Sequence, residues 1–181
     1  MDEKMMRIVR VEERLNRAQR QETAMYKLDT AHVRLLEESM RKRMQDMTAS
    51  EYVLKKLPEN GFALPDGQPD CVRFYHYACI NPDVWSTFLS GTHAPSMQTL
   101  LKLVVALKLD EEEARAFLQM AGAGFNLKDP VHQVLLACIE CGYRDPESVY
   151  EVMEFYEKVY TEKGKKFVNI YRERRKKGKD A

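Results

Sequence analysis

Cys138 and Cys141 form a C-x-x-C. This spacing binds zinc when a second close Cys or His pair completes a tetrahedron, and it exchanges disulfides when a helix N-terminus lowers a thiol pKa. Neither requirement is met. No second close pair occurs, and the motif ends the apolar run VHQVLLACIEC just before Gly142, where a helix finishes rather than begins. Residues i and i+3 share a helix face, so the pair reads as buried packing, and no metal or cofactor is expected. Together with Cys71 and Cys79, the four cysteines are too few for a disulfide scaffold in 181 residues. His32, His76, His93 and His132 are scattered, with no carboxylate at a diagnostic spacing. His76, in FYHYA, reads as a packing residue of an aromatic-rich helix. Glu111, Glu112 and Glu113 suit the positive end of a helix dipole. No G-x-G-x-x-G, G-x-x-x-x-G-K-[ST], H-E-x-x-H or G-x-S-x-G occurs, so no catalytic activity is expected.

A second chemistry is phosphate binding. The end of the chain, KGKKFVNIYRERRKKGK, sets Lys165, Lys166, Arg172, Arg174, Arg175, Lys176, Lys177 and Lys179 among Phe167 and Tyr171. Basic residues interleaved with aromatics suit an arm that tracks a nucleic-acid backbone. The charge is segregated. Residues 1–48 hold 11 basic and 9 acidic side chains, 49–160 hold 9 and 16, and 161–181 hold 9 and 3, giving +2, −7 and +6 within a total of +1. A basic tail on an acidic body also suits folding back over that body, or over a partner subunit. Phe167, Ile170 and Tyr171 have helical spacing, which also suits docking through one apolar face.

The elements that must position these groups read as helices throughout. All eight glycines and all seven prolines follow Leu57, so nothing interrupts a helix from about Glu3 to Asp46, roughly 65 Å long. Ile8, Val11, Leu15 and Ala18 follow 3-4 spacing, and Met25, Leu28, His32 and Leu35 resume it after a slip. The pattern fits an imperfect coiled-coil seam, open to a homodimer, or a stripe packed back on the chain's own core. Residues 1–47 form this segment, 48–160 the folded body and 161–181 the tail.

Punctuation is regular from Thr48 onward. Thr48 with Glu51 and Asp110 with Glu113 make capping boxes; Asn81–Pro82, Asp129–Pro130 and Asp145–Pro146 pair an N-cap with a proline at the first helical position. Ser96 opens MQTLLKLVVALKL, whose apolar face is broken only by Lys102 and Lys108 and which reads as the buried spine. Strand-like alternation is nowhere sustained. The fold class is all-α, with eight or nine helices.

Within this frame, DCVRFYHYACINPDVWSTFLSG followed by APSMQTLLKLVVALKL resembles the helix-turn-helix of the Xre/Cro phage-repressor-like family. Phe74 and Ala78 match the apolar places of its first helix, Ile80 the apolar place of the turn, Asn81 the cap of the recognition helix, and Trp85 and Phe88 its inward face. The flanking helices agree from about Thr48 to Phe125. With DPVHQVLLACIECGYRDPESVYEVMEFY the chain resembles a bacterial subgroup that carries two further helices after the five. The resemblance implies a transcription-regulator-like DNA binder, expected in the cytosol because neither an export signal nor a membrane span is read, with Asp83, Val84, Ser86, Thr87 and Ser90 facing the groove and the tail on phosphates.

Three departures bear on that expectation. Cys79 stands where the family places glycine and Tyr75 where it places a small residue, so the two helices are expected to sit farther apart than in a repressor. The outward positions of the recognition helix include no Arg, Lys, Gln or second Asn for base edges. The alternative is therefore a repurposed fold serving as a protein-interaction adaptor, with the N-terminal helix as its association surface. Charges in residues 2–20 argue against a secretory signal. The longest uncharged run, Val84 to Leu101, is broken by Gly91, His93 and Pro95, so no membrane span is expected.

Overall fold

A short polar side chain with a backbone N–H within reach opens each helix of the body. The computed structural model describes residues 2–25, with side chains as far as Ala18, and residues 47–172. After α1 (Glu3–Met25) come α2 (Ala49–Glu59), α3 (Cys71–Tyr77), α4 (Pro82–Ser90), α5 (Met97–Ala106), α6 (Glu111–Met120), α7 (Pro130–Glu140) and α8 (Pro146–Glu162). Both capping boxes form: the Thr48 N–H donates to Glu51 Oε2 at 2.7 Å, and the Glu113 N–H donates to Asp110 Oδ1 at 2.8 Å. Asn81, Ser96, Asp129 and Asp145 cap the other predicted starts, each accepting a backbone N–H of the first turn. The described residues include no strand, only an isolated bridge between Ala63 and Pro69. The chain is all-α as expected.

α5 is the spine. Every residue from Thr99 to Leu107 is buried, Lys102 included. α6 and α8 pack on α5, while α2 joins α3, α4 and α6 into one layer. α7 and α8 pair with each other, and α1 lies across both. A single apolar core runs through all of this, from Val11 to Tyr171. It is therefore wider than the 48–160 body read from punctuation and charge.

The N-terminal stripe packs back where it is described. Ile8 and Val11 are buried and Leu15 rests on the core, so this half of the seam is covered by the chain's own α7 and α8. Three ion pairs flank it: Lys4 with Glu154 at 3.1 Å, Arg7 with Glu151 at 2.9 Å, and Arg14 with Glu140. The second half of the seam, with Leu28, His32 and Leu35, lies outside the described residues, as does the helical continuation to Asp46.

The start of the tail is also part of the body. Phe167, Ile170 and Tyr171 are buried, although the segment is not helical. Gln98 Nε2 donates to the Ile170 carbonyl at 2.9 Å and Asn169 Nδ2 to the Tyr150 carbonyl at 3.2 Å, which ties the non-helical segment to α5 and α8. The three side chains therefore dock on the core, but without the helix that their spacing suggests, and the two aromatics expected to accompany a phosphate arm are core residues.

Candidate functional site

α3 and α4 meet at a turn whose sequence fixes its shape. Phe74 and Ala78 on the first helix and Trp85 and Phe88 on the second are buried, with Ile80 between them. The Trp85 ring lies 5.5 Å from that of Phe74 and 5.8 Å from that of Phe88, so the inward faces interlock through aromatic contact. Cys79 turns the chain with φ +54°, in the left-handed region that an L side chain enters at a cost of about 1–2 kcal/mol. Lys102 on α5, only 6 % exposed, donates from Nζ to the Cys79 carbonyl at 2.7 Å. A charge-assisted bond thus ties the turn to the spine, and the buried ammonium gains a compensating acceptor. In the sequence Lys102 is one of two interruptions of an apolar face, and the uncharged run around it is the local sign that it needs a buried acceptor.

Because glycine carries no Cβ, Cys79→Gly should relieve the turn while leaving the Lys102 bond intact. The net gain expected is about 0.5–1 kcal/mol, smaller than the strain because the unfolded chain gains freedom too. Urea denaturation followed by circular dichroism measures it, and a destabilised Cys79→Gly protein would show that the thiol contributes more than the strain costs.

The outward face of α4 carries Asp83, Val84, Ser86 and Ser90 exposed and Thr87 half-buried. These are the positions expected, and they share one helix. Their chemistry is limited. Thr87 Oγ1 donates to the Asp83 carbonyl at 2.7 Å, and Ser90 Oγ donates to the Thr87 carbonyl at 3.1 Å. Two hydroxyl protons are thereby engaged by the helix itself, and Asp83 adds negative charge at the helix start. Val84 is 41 % exposed and Val72, on α3, 58 %. His76 is exposed rather than packed inside, its ring 4.6 Å from Tyr75.

In the tail, Lys165 and Lys166 are exposed, whereas Arg172 lies 3.8 Å from Glu157. Arg174, Arg175, Lys176, Lys177 and Lys179 lie outside the described residues. The recognition-helix positions and the tail are therefore not assembled into one site by what is described.

Cys138 is wholly buried, and burial pushes its thiol well above the ordinary range; Cys141, half-buried, is also raised, with its thiol 3.6 Å from the Arg10 carbonyl. Both shifts oppose thiolate formation, the reverse of what an exchanging or metal-binding pair needs. Among the described residues, no three His, Cys, Asp or Glu side chains group to hold a metal ion, and no helix is long and apolar enough to cross a membrane.

Beside α1 lies a cleft of about 150 Å³, floored by Leu15, Ala18, Leu136 and Ala137. Arg14, Arg115 and Glu140 border it. Burial raises the Glu140 carboxyl above its usual range, against the opposing pull of Arg14. Comparison with protein-family models, with curated proteins and with solved structures finds no match for this chain.

Proposed function

We propose that the chain is a phage-repressor-like helix-turn-helix protein of the Xre/Cro type, repurposed as a protein-interaction adaptor. The observation that carries this reading is the outward face of α4. It presents no cationic or amide side chain, its Thr87 and Ser90 hydroxyls donate to its own backbone, and its apolar member, Val84, is open to solvent. Base readout needs bidentate donors and acceptors, and phosphate affinity needs clustered positive charge. An exposed valine and an aspartate without a neighbouring cation on this helix fit a protein partner better than a nucleic acid.

A DNA-binding, transcription-regulating role is the second reading. It is favoured by the exposed Lys165 and Lys166, which six further basic residues follow in the sequence of the tail. Electrophoretic mobility shift on a pool of random duplexes at low salt separates the two. The adaptor reading expects no shift, or a sequence-indifferent one that vanishes when residues 173–181 are removed. That truncation spares Phe167, Ile170 and Tyr171, whose loss would damage the core. Enrichment of one duplex sequence over others, sensitive to substitution at Asp83, Ser86 or Ser90, would overturn the adaptor reading.

A further inference from the structure

The first turn of α7 carries a histidine fixed in one protonation state. His132 is 5 % exposed, and its Nδ1 lies 2.8 Å from the backbone nitrogen of Asn126. A peptide N–H has only a proton to offer, so Nδ1 must present its lone pair and the imidazole must be neutral, with its proton on Nε2. Gln133, the next residue, donates from Nε2 to the Leu127 carbonyl at 2.7 Å. Two adjacent side chains of α7 thereby clasp adjacent residues of the loop that precedes it. Phe125 stands edge-on to the His132 ring with centroids 6.0 Å apart, and the Arg115 guanidinium lies 5.7 Å from the other aromatic centroid.

This loop also builds the cleft beside α1. Leu127, 49 % exposed, lines it opposite Leu15 and Ala18. We propose that His132 is a proton-operated latch: neutral, it clasps residues 125–128 against α7, and protonated, it releases them and opens the cleft wall that Leu127 supplies.

The physical reason is a collision of donors. A proton on Nδ1 would face the Asn126 N–H with no acceptor between them, and the new charge would sit in a buried place. Burial indeed holds the imidazole below its ordinary range, with the Asp129 carboxylate at the α7 N-terminus the opposing influence. Of the other charges nearby, Arg115 on α6 is engaged by Glu111, Arg14 and Glu140 pair across the cleft, and Lys128 in the loop is exposed. None offers the imidazolium a partner comparable to Asp129.

The direction with pH follows. Above the ordinary imidazole value of about 6.5, clasped and released forms are both neutral and the latch is at full strength. Below it the released form takes up a proton that the clasped form refuses, so the equilibrium shifts toward release by about tenfold per pH unit until the clasped form itself titrates.

Amide hydrogen exchange on the full chain between pH 7.5 and 5, corrected for intrinsic rates, reads this directly. The protection of the Asn126 amide should fall about fivefold between pH 6.5 and 5.5, while amides of α5 stay protected. His132→Asn, whose Oδ1 accepts the same N–H and does not titrate, should make Asn126 protection independent of pH. Unchanged protection in the natural protein, the same fall in His132→Asn, or a parallel loss in α5 would each overturn the latch. Should His132→Asn not fold, the imidazole ¹⁵N shifts of the natural protein decide. A lone-pair Nδ1 whose titration midpoint matches the loss of Asn126 protection supports the proposal. Titration that leaves Asn126 protected refutes it.

Discussion

Trp85→Ala should cost about 3–5 kcal/mol, a large part of the roughly 5–15 kcal/mol that holds a domain of this size. Trp85 is 4 % exposed and its ring bridges Phe74 on α3 and Phe88 on α4, so truncation leaves a cavity at the aromatic contact that interlocks two short helices. Neither helix exceeds nine residues, and neither would persist alone. Trp85→Phe retains an aromatic bridge and should lose markedly less. Urea denaturation followed by far-ultraviolet circular dichroism is the appropriate measurement, because Trp85 is the single tryptophan and its removal abolishes the fluorescence signal. A loss below about 1 kcal/mol would mean that the α3–α4 unit does not depend on this contact, and the proposed resemblance to a repressor-like unit would lose its main support.

Val11→Lys should release α1 from the body. Val11 is wholly buried against the α7–α8 pair, and the substitution both removes an aliphatic anchor and drives an ammonium into an apolar interface. The expected cost is about 3 kcal/mol or more, from lost burial together with desolvation of the charge. Hydrogen exchange should show the amides of residues 7–15 losing protection while those of α5 keep theirs. High salt alone should do far less, because the ion pairs of Lys4, Arg7 and Arg14 are partly exposed and each is worth about 0–1 kcal/mol. Exchange rates in α1 that match the natural protein would show that the helix is held by its charges rather than by its stripe. If instead α1 exchanges fast in the natural protein, the packing of Val11 is not the resting state.

The starts of the body helices were legible residue by residue, because an N-cap, a proline at the first helical position and a capping box act over three or four residues and need no distant partner, whereas Pro58, read as a stop, lies inside α2. The inward set of Phe74, Ala78, Ile80, Trp85 and Phe88 was legible for the same reason: apolar side chains at helical spacing must find cover somewhere. What covers them is not local. Lys102 looked like a flaw in an apolar face until the Cys79 carbonyl was brought within 2.7 Å of it across 23 residues. His76 looked internal because its neighbours are aromatic, yet helix phase turns it outward. Phe167 and Tyr171 read as arm aromatics, yet both are buried, since interleaving with lysine says nothing of the distant partners that hold this segment on the core, such as Gln98 on the Ile170 carbonyl.

The chain by itself determined an all-helical protein, where most of its helices start, and which faces turn inward, because capping and amphipathic spacing are written in adjacent residues. Only tertiary structure decided that α1 and the first part of the tail belong to the same core, that a buried lysine anchors the α3–α4 turn, and that His132 closes on Asn126. Those outcomes depend on long-range encounters, in which burial and partner geometry set the free energy and sequence distance carries no information about it.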